Sequence, residues 1–360
     1  MSDRTVKCSN CAAELEYAPG TESLLCPHCG STTAIEIDVG DGGVRELDFR
    51  THLGKLQEAE ETEDSPGVRC ESCGAAVTLA GNVDADRCPF CGSSILRREE
   101  HRKAIRPRSL LPFQVTSEQA MEAFHRWVKR LWFAPNDLKH SFRTTAMGGV
   151  YIPYWTYDCH AITQYRGERG DDYWVNVSYR DSEGKSKTRR VRKTRWRHVS
   201  GVVENAFDDI LVVASESLPR RYARKLEPWD LENLTPFNED YLTGFRVENY
   251  GVGLADGFDR AREIAEPAIR STVRRDIGGD HQRIHGMNSD WHDISFKHLL
   301  LPIWLSAYRY RQKPYRFLVN GRTGEVQAER PYSWVKIGLA VVAALILAVL
   351  VFLLFRYFQG

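Results

Sequence analysis

The sequence predicts an α+β protein: two small cysteine-stapled units, a β-rich α+β central domain and one C-terminal apolar helix. Three observations carry that reading. Four Cys-x-x-Cys pairs fall before residue 92, residues 101–330 alternate like strands, and 19 consecutive uncharged residues lie near the end of the chain. A chain of 360 residues that is 42% hydrophobic and 27% charged, with a mean hydropathy of −0.43, is neither a polytopic membrane protein, nor a collagen, nor mainly disordered. The formal net charge of +1 hides a split, since residues 1–100 carry −10 and the remainder +11. An acidic front and a basic back suit different partners.

The cysteine pairs are Cys8/Cys11, Cys26/Cys29, Cys70/Cys73 and Cys88/Cys91. In each half fourteen residues separate the inner cysteines, and the whole unit repeats at an offset of 62. A tetrahedral Zn²⁺ takes four thiolates at ~2.3 Å, and two Cys-x-x-Cys knuckles joined by a hairpin supply them. Gly30 and Gly92 follow the last cysteine of each unit, and Pro27 and Pro89 stiffen the same turn. The apolar residues between the knuckles (Leu15, Tyr17, Leu24, Leu25; then Val77, Leu79) are too few for a core, so metal must staple each ribbon. With all four positions thiolate, no coordination position stays open for water, and two structural Zn²⁺ sites are expected. Disulfides and redox dithiols are the competing readings. A missing cleavable signal at Met1 and a missing βαβ context argue against them. His28 reads as a surface residue and Cys159 as a buried small one.

Ile337 to Phe355 contains 14 Leu, Ile, Val or Phe and no charge, between Lys336 and Arg356. At 1.5 Å per residue it spans about 28 Å, close to a bilayer core. Tyr332, Trp334 and Tyr357 sit where interfacial aromatics sit. Arg322, Arg330 and Lys336 precede the span, so the positive-inside rule puts the N-terminal part in the cytoplasm. The expectation is a tail-anchored, single-pass protein of the cell (inner) membrane.

Between these ends the boundaries read as zinc ribbon 1 (1–35), an acidic linker (36–65) with one short helix near His52–Glu61, zinc ribbon 2 (66–100), an α+β domain (101–330) and a transmembrane helix (336–356). Tyr173, Val175, Val177 and Tyr179 mark one strand face. Asp181–Gly184 is a turn and Lys187 to Val199 returns, which makes a long hairpin. Tyr315–Val319, the turn Asn320–Gly324 and Glu325–Val326 make a second. Thr116-Ser117-Glu118-Gln119 resembles a capping box before a helical pattern. Asp256 to Asp276 is a second helix, with a kink expected at Pro267. Tyr151–Trp155 echoes Leu300–Trp304, which suggests two related β units joined by that helix.

No catalytic constellation is legible. Gly184-Lys185-Ser186 lacks the upstream glycine of a phosphate loop, and His281/His285 lack the glutamate of a zinc-protease helix. A non-enzyme is expected, with an enzyme on residues 101–330 as a rival. Eight basic residues between Lys185 and Arg197, with Trp196 among them, suit an anionic leaflet, nucleic acid or plain solvation. The acidic ribbons argue against DNA, because Zn²⁺ with four thiolates adds a further −2 each and repels phosphates. An acidic module of this kind suits a protein partner.

The order of parts resembles a bacterial family. So do the runs Trp132-Phe133-Ala134-Pro135-Asn136, Phe296 to Trp304, Val319 to Val326, and Glu329-Arg330-Pro331-Tyr332-Ser333. The chain is similar to the YdjG-type double-zinc-ribbon membrane proteins, often labelled primosomal helicase-like from the ribbons alone. The resemblance implies neighbours of the PspA-like and SPFH/virion-core kinds and the recruitment of a cytoplasmic partner to the membrane in an envelope-stress response. It implies no catalytic residues. The alternative reading is a nucleic-acid-binding accessory protein of replication or transcription.

Overall fold

The computed structural model describes residues 6–36, 45–58, 63–71, 76–77, 85–88, 90, 93–96, 100–135, 137–138, 143–144, 147–180, 184–218, 220–311 and 313–359. The first ribbon is a three-stranded meander, β1 (Glu16–Tyr17), β2 (Ser23–Leu25) and β3 (Thr32–Ala34). In the acidic segment, β4 (Leu47–Asp48) and α1 (Phe49–Glu58) follow. The second ribbon region holds β5 (Glu63–Arg69), β6 (Ala76–Val77), β7 (Ala85–Arg87), β8 (Ser94–Leu96) and β9 (Glu100–Ala104).

The central domain is one large sheet. Its short strands are β10 (Ser109–Leu110), β11 (Arg143–Thr144), β14 (Thr235–Pro236) and β15 (Arg246–Val247). Its long strands are β12 (Gly148–Arg180), β13 (Ser186–Val213) and β16 (His281–Tyr310). The second expected hairpin is present as β17 (Lys313–Asn320) and β18 (Val326–Ala328). The longer helices among the described residues of this part are α2 (Ser117–Lys129), α3 (Leu254–Ile277) and α4 (Trp334–Gln359). This is the mixed architecture with a β-rich centre that the sequence predicts.

β12 runs between β13 and β16, antiparallel to both. The echo segments do not form two units. They are partners in one sheet, with Tyr151 opposite Pro302 and Pro153 opposite Leu300. On one face of β12, Tyr151, Trp155, Tyr157, Cys159, Ala161 and Tyr165 are all buried. Period-2 alternation makes this one continuous stripe. α2 and the first ribbon cover its start, and α3 covers the rest. The other face is buried at Val150, Ile152 and Tyr154 against Leu218, Leu226 and Trp229. Bulges fall in the neighbours of β12, at Asp209 of β13 (φ 52°) and Asp293 of β16 (φ 49°), so the β12 alternation is never broken.

α2 starts as the capping box requires. The Thr116 hydroxyl accepts the Gln119 N–H (3.3 Å), and the Gln119 amide oxygen accepts the Thr116 N–H (3.0 Å). α3 continues through Pro267, which is solvent-exposed. Its inner face repeats every three to four residues: Leu254, Phe258, Ala261, Ala265, Ile269, Val273 and Ile277.

Part of the acidic segment is pinned to the sheet. β4 pairs with Ser295 and Phe296, and Phe49 packs on Tyr157 and Phe258. The ends of the sheet are far apart. β18 lies beside β17 at Phe317, level with Ser306 of β16, and the chain then enters α4. β12 starts at that end, with Gly148 opposite Leu305, and runs 33 residues, roughly 105 Å at ~3.3 Å per residue. The β12–β13 tip therefore lies at the end of the sheet remote from α4.

Within Trp334–Phe358 of α4, the most apolar 18-residue window has a mean hydropathy of 3.2, and none of it is buried. It is long and apolar enough to cross a membrane.

Candidate metal centre

The first ribbon brings Cys8, Cys11, Cys26 and Cys29 together. Their sulfurs all lie within 4.8 Å of one another. Cys8 and Cys29 are 3.6 Å apart, and Cys11 and Cys26 are 3.4 Å apart. A tetrahedron with ~2.3 Å metal–sulfur bonds has sulfur–sulfur edges of about 3.8 Å, so the donor set fits Zn²⁺ closely.

Two matching turns build the site. Cys8 donates its N–H to Ala13 O (2.7 Å), and Cys26 donates to Ser31 O (2.9 Å). Ala12 N–H returns to Cys8 O (2.9 Å), and Gly30 N–H to Cys26 O (3.0 Å). The residue after each second cysteine is left-handed, Gly30 at φ 73° and Ala12 at φ 60°. Glycine takes that conformation freely, whereas alanine accepts it at a cost of about 1–2 kcal/mol.

Ser31 was not singled out by the sequence reading, yet its hydroxyl lies 3.0 Å from the sulfurs of both Cys8 and Cys29. It is the largest cause that holds both thiols below the ordinary range, and with the Ser31 N–H it brings Cys29 to about 5. At Cys11 a bond from Ala13 lowers the thiol, but bonds shared with Cys26 and Cys29 outweigh it and bring it to about 12. Without a cation, four clustered thiols cannot all ionise. A divalent metal removes that conflict.

In the second ribbon Cys70 and Cys88 are buried, beside buried Phe90. Ser93 stands at the Ser31 position of the repeat: it accepts the Cys88 N–H (2.7 Å), and its hydroxyl lies 3.6 Å from Cys70. The 62-residue offset alone could have identified both serines. Cys73 and Cys91 lie outside the described residues, so one complete site is seen.

The first ribbon is fastened to the sheet domain. Tyr17 is buried, and its hydroxyl donates to Thr21 O (2.9 Å) and Phe113 O (3.1 Å). Its N–H donates to Thr243 O (3.0 Å), and Gly20 N–H to Phe113 O (2.8 Å). Cys8, Cys26, Leu15 and Leu24 join the same apolar cluster as Phe113, Phe124, Tyr151 and Phe317. Cys11, Cys29 and His28 remain exposed.

A second polar cluster lies at the bulges. Lys297 Nζ is 2.8 Å from Asp209, 3.2 Å from Glu46 and 3.8 Å from Asp158. Burial, then Glu46, pushes Asp158 up to about 6. Asp158, Asp208 and Asp209 converge closely enough to hold a cation, but the Lys297 ammonium already sits among them. Glu46, from the acidic segment, is thus an ion-pair partner of the sheet.

The basic stretch occupies the β12–β13 tip. Arg195 lies over Tyr173 (5.1 Å), Arg190 over Trp174 (5.3 Å) and Arg189 over Tyr179 (5.5 Å). Tyr173 is opposite Lys193, about 80 Å along β12 from Gly148. Lys185–Arg197 therefore lies at the end of the sheet far from α4. His281 and His285 lie on a strand, paired with Asp172 and Glu168. Cys159 is buried, and burial raises its thiol to about 11.

Among curated proteins, one from Bacillus subtilis (strain 168) carrying the name Uncharacterized protein YdjG is 26% identical over 337 residues, which are 91% of this chain and 90% of that protein. No family profile matches the chain, and no solved structure matches it.

Proposed function

We propose that this chain is a membrane-anchored zinc-ribbon adaptor that holds a cytoplasmic protein partner at the membrane. The observation that carries this reading is mechanical. The Cys8–Cys29 ribbon is fastened through Tyr17 to the same sheet from which α4 leaves, so a grip on the ribbon is a grip held at a fixed place relative to the anchor. A free ribbon on a flexible linker would not transmit position in this way. The acidic charge of the first 100 residues, with the exposed edge of the four-thiolate site, favours a protein surface with basic groups over nucleic acid. By resemblance, the partner class is a PspA-like or SPFH/virion-core protein, and the setting an envelope-stress response. The second ribbon supplies a second Zn²⁺ through Cys70, Cys73, Cys88 and Cys91 in this reading.

The test is co-purification with the detergent-solubilised full-length chain. A discrete partner should accompany the intact chain and be lost from Cys8→Ser/Cys29→Ser, while α4 still carries the variant into membranes. Equal recovery with both chains contradicts the reading.

The basic, aromatic tip supports a second reading, a nucleic-acid-binding accessory. Its paired Arg and aromatic side chains could track a phosphate backbone and stack on bases. A DNA titration at ~50 mM salt with no binding removes it.

A further inference from the structure

Where α4 leaves the body, the structure forms an open cleft of about 560 Å³. It is lined by Lys129 and Arg130 from the end of α2, Trp132 from the following loop, and Lys336, Leu339 and Ala340 from the first turns of α4. We infer that this cleft is a binding site for the headgroup of one anionic phospholipid. The inference rests on the reading that α4 spans a membrane.

Three features point to that ligand. Among the described residues that line it, the polar wall carries three cations and no carboxylate. The opposite wall is apolar and belongs to the membrane helix itself, so a ligand there needs an anionic head and a greasy body running along α4. Trp132 is 79% exposed, although it is a large apolar side chain. An indole so exposed beside cations at the root of an apolar helix has the amphipathic character that suits the headgroup layer. The volume lies in the range of small-ligand sites.

The cleft is held in shape rather than left to two flexible elements. Lys336 Nζ donates to Ala134 O (2.8 Å) and Trp132 O (3.2 Å), and Ser333 N–H donates to Phe133 O (2.8 Å). The loop after α2 is thereby tied to the start of α4. Complementing the C-terminal end of α2 explains Lys129 and Arg126 electrostatically. The same holds for Arg130, the C-cap residue of α2, but not for an exposed Trp132 on the same cleft as the apolar helix. The site differs from the basic β12–β13 tip, which lies at the far end of the sheet.

The experiment uses full-length protein in vesicles of phosphatidylcholine with 20 mol% phosphatidylglycerol. Co-flotation is measured first, then native mass spectrometry counts the lipids retained on the released protein. Wild type should retain phosphatidylglycerol well above its bulk fraction. Lys129→Gln/Arg130→Gln should float equally, and its retained phosphatidylglycerol should fall toward the bulk one in five, the affinity for that headgroup relative to phosphatidylcholine dropping roughly fivefold per cation, the equivalent of ~1 kcal/mol each. Lys187→Gln/Arg189→Gln at the remote tip should keep it. Protein that floats but retains phosphatidylglycerol at the bulk ratio overturns the lipid site alone, as does undiminished enrichment in the cleft variant or its loss in the tip variant. Protein that does not float overturns both the site and the membrane reading beneath it.

Discussion

The hydroxyl of Tyr17, in the first ribbon, donates to the carbonyl of Phe113, 96 residues away in the sheet domain. This bond turns a small metal module into part of a larger body. Tyr17→Phe deletes it, together with the bond to Thr21 O, and should loosen the ribbon by about 1–2 kcal/mol. Tyr17→Ala also removes a buried ring and should cost about 3–5 kcal/mol. Hydrogen exchange across residues 6–36 of the full chain reads both. Unchanged protection in Tyr17→Ala contradicts the docking.

Ser31 tests the metal site without removing a ligand. Its hydroxyl stabilises two thiolates, so Ser31→Ala should weaken Zn²⁺ binding about 10–100-fold. Competition with a chromophoric chelator measures it, and an unchanged affinity would remove Ser31 from the site. Ala12→Gly should go the other way. It relieves a left-handed alanine and should leave the ribbon unchanged or stabler by up to ~1 kcal/mol, offset by the greater freedom of glycine when unfolded.

Gly257 tests the contact of α3 with β12. A Cβ there would sit 2.3 Å from the Tyr157 hydroxyl, which donates to Leu254 O (2.7 Å), and 2.9 Å from Trp155. Gly257→Ala should therefore destabilise by about 1–3 kcal/mol, despite the better helix propensity of alanine. Thermal unfolding should show a lowered midpoint. A raised midpoint would mean that α3 does not pack as described.

His298 gives the sheet a pH dependence. Its ring is buried beside Trp155, and the Nδ1 edge faces Ile105 O (2.9 Å). Burial holds its folded pKa down to about 4, against about 6.5 for an exposed histidine. The unfolded chain then binds the extra proton first as pH falls. This contribution is fully present above pH ~6.5 and is lost as pH drops through that value to about 4. Denaturant titrations at pH 7 and pH 5 should show the loss, and His298→Gln should flatten this slope. Asp158 acts oppositely, since its folded pKa is raised. Its contribution is full below pH ~4 and is lost as pH rises through about 6.

Local chemistry made much of this fold legible. The Thr116–Gln119 box, the Asn320–Gly324 turn and the apolar run of α4 each depend on neighbours in sequence, and each is present. The four cysteines of the first ribbon converge because two identical turns present them. What the sequence hid was long-range. Leu47 and Asp48 look like acidic linker by composition, yet they find Phe296 and Ser295 across the chain. The echo of Tyr151–Trp155 in Leu300–Trp304 suggested duplication, but such matched apolar runs also pair well with each other. The docking of Tyr17 left no local signal, because a tyrosine in a short ribbon looks the same whether its partner is solvent or Phe113. The roles of the motif residues became clear only in three dimensions. Arg322 clasps Asp230 and Pro112 O, and Asn320 donates to Leu226 O (2.8 Å), so that motif is a structural latch.

The central claim is that ribbon and anchor work as one device to place a protein partner at the membrane. Its most direct measurement is the location of the co-purifying partner, fluorescently tagged, in living cells. The partner should line the membrane with the full-length chain, and become diffuse both when the chain stops after Ser333 and when Cys8 and Cys29 are serine. A partner that stays at the membrane in all three cells, or is diffuse in all three, contradicts the claim.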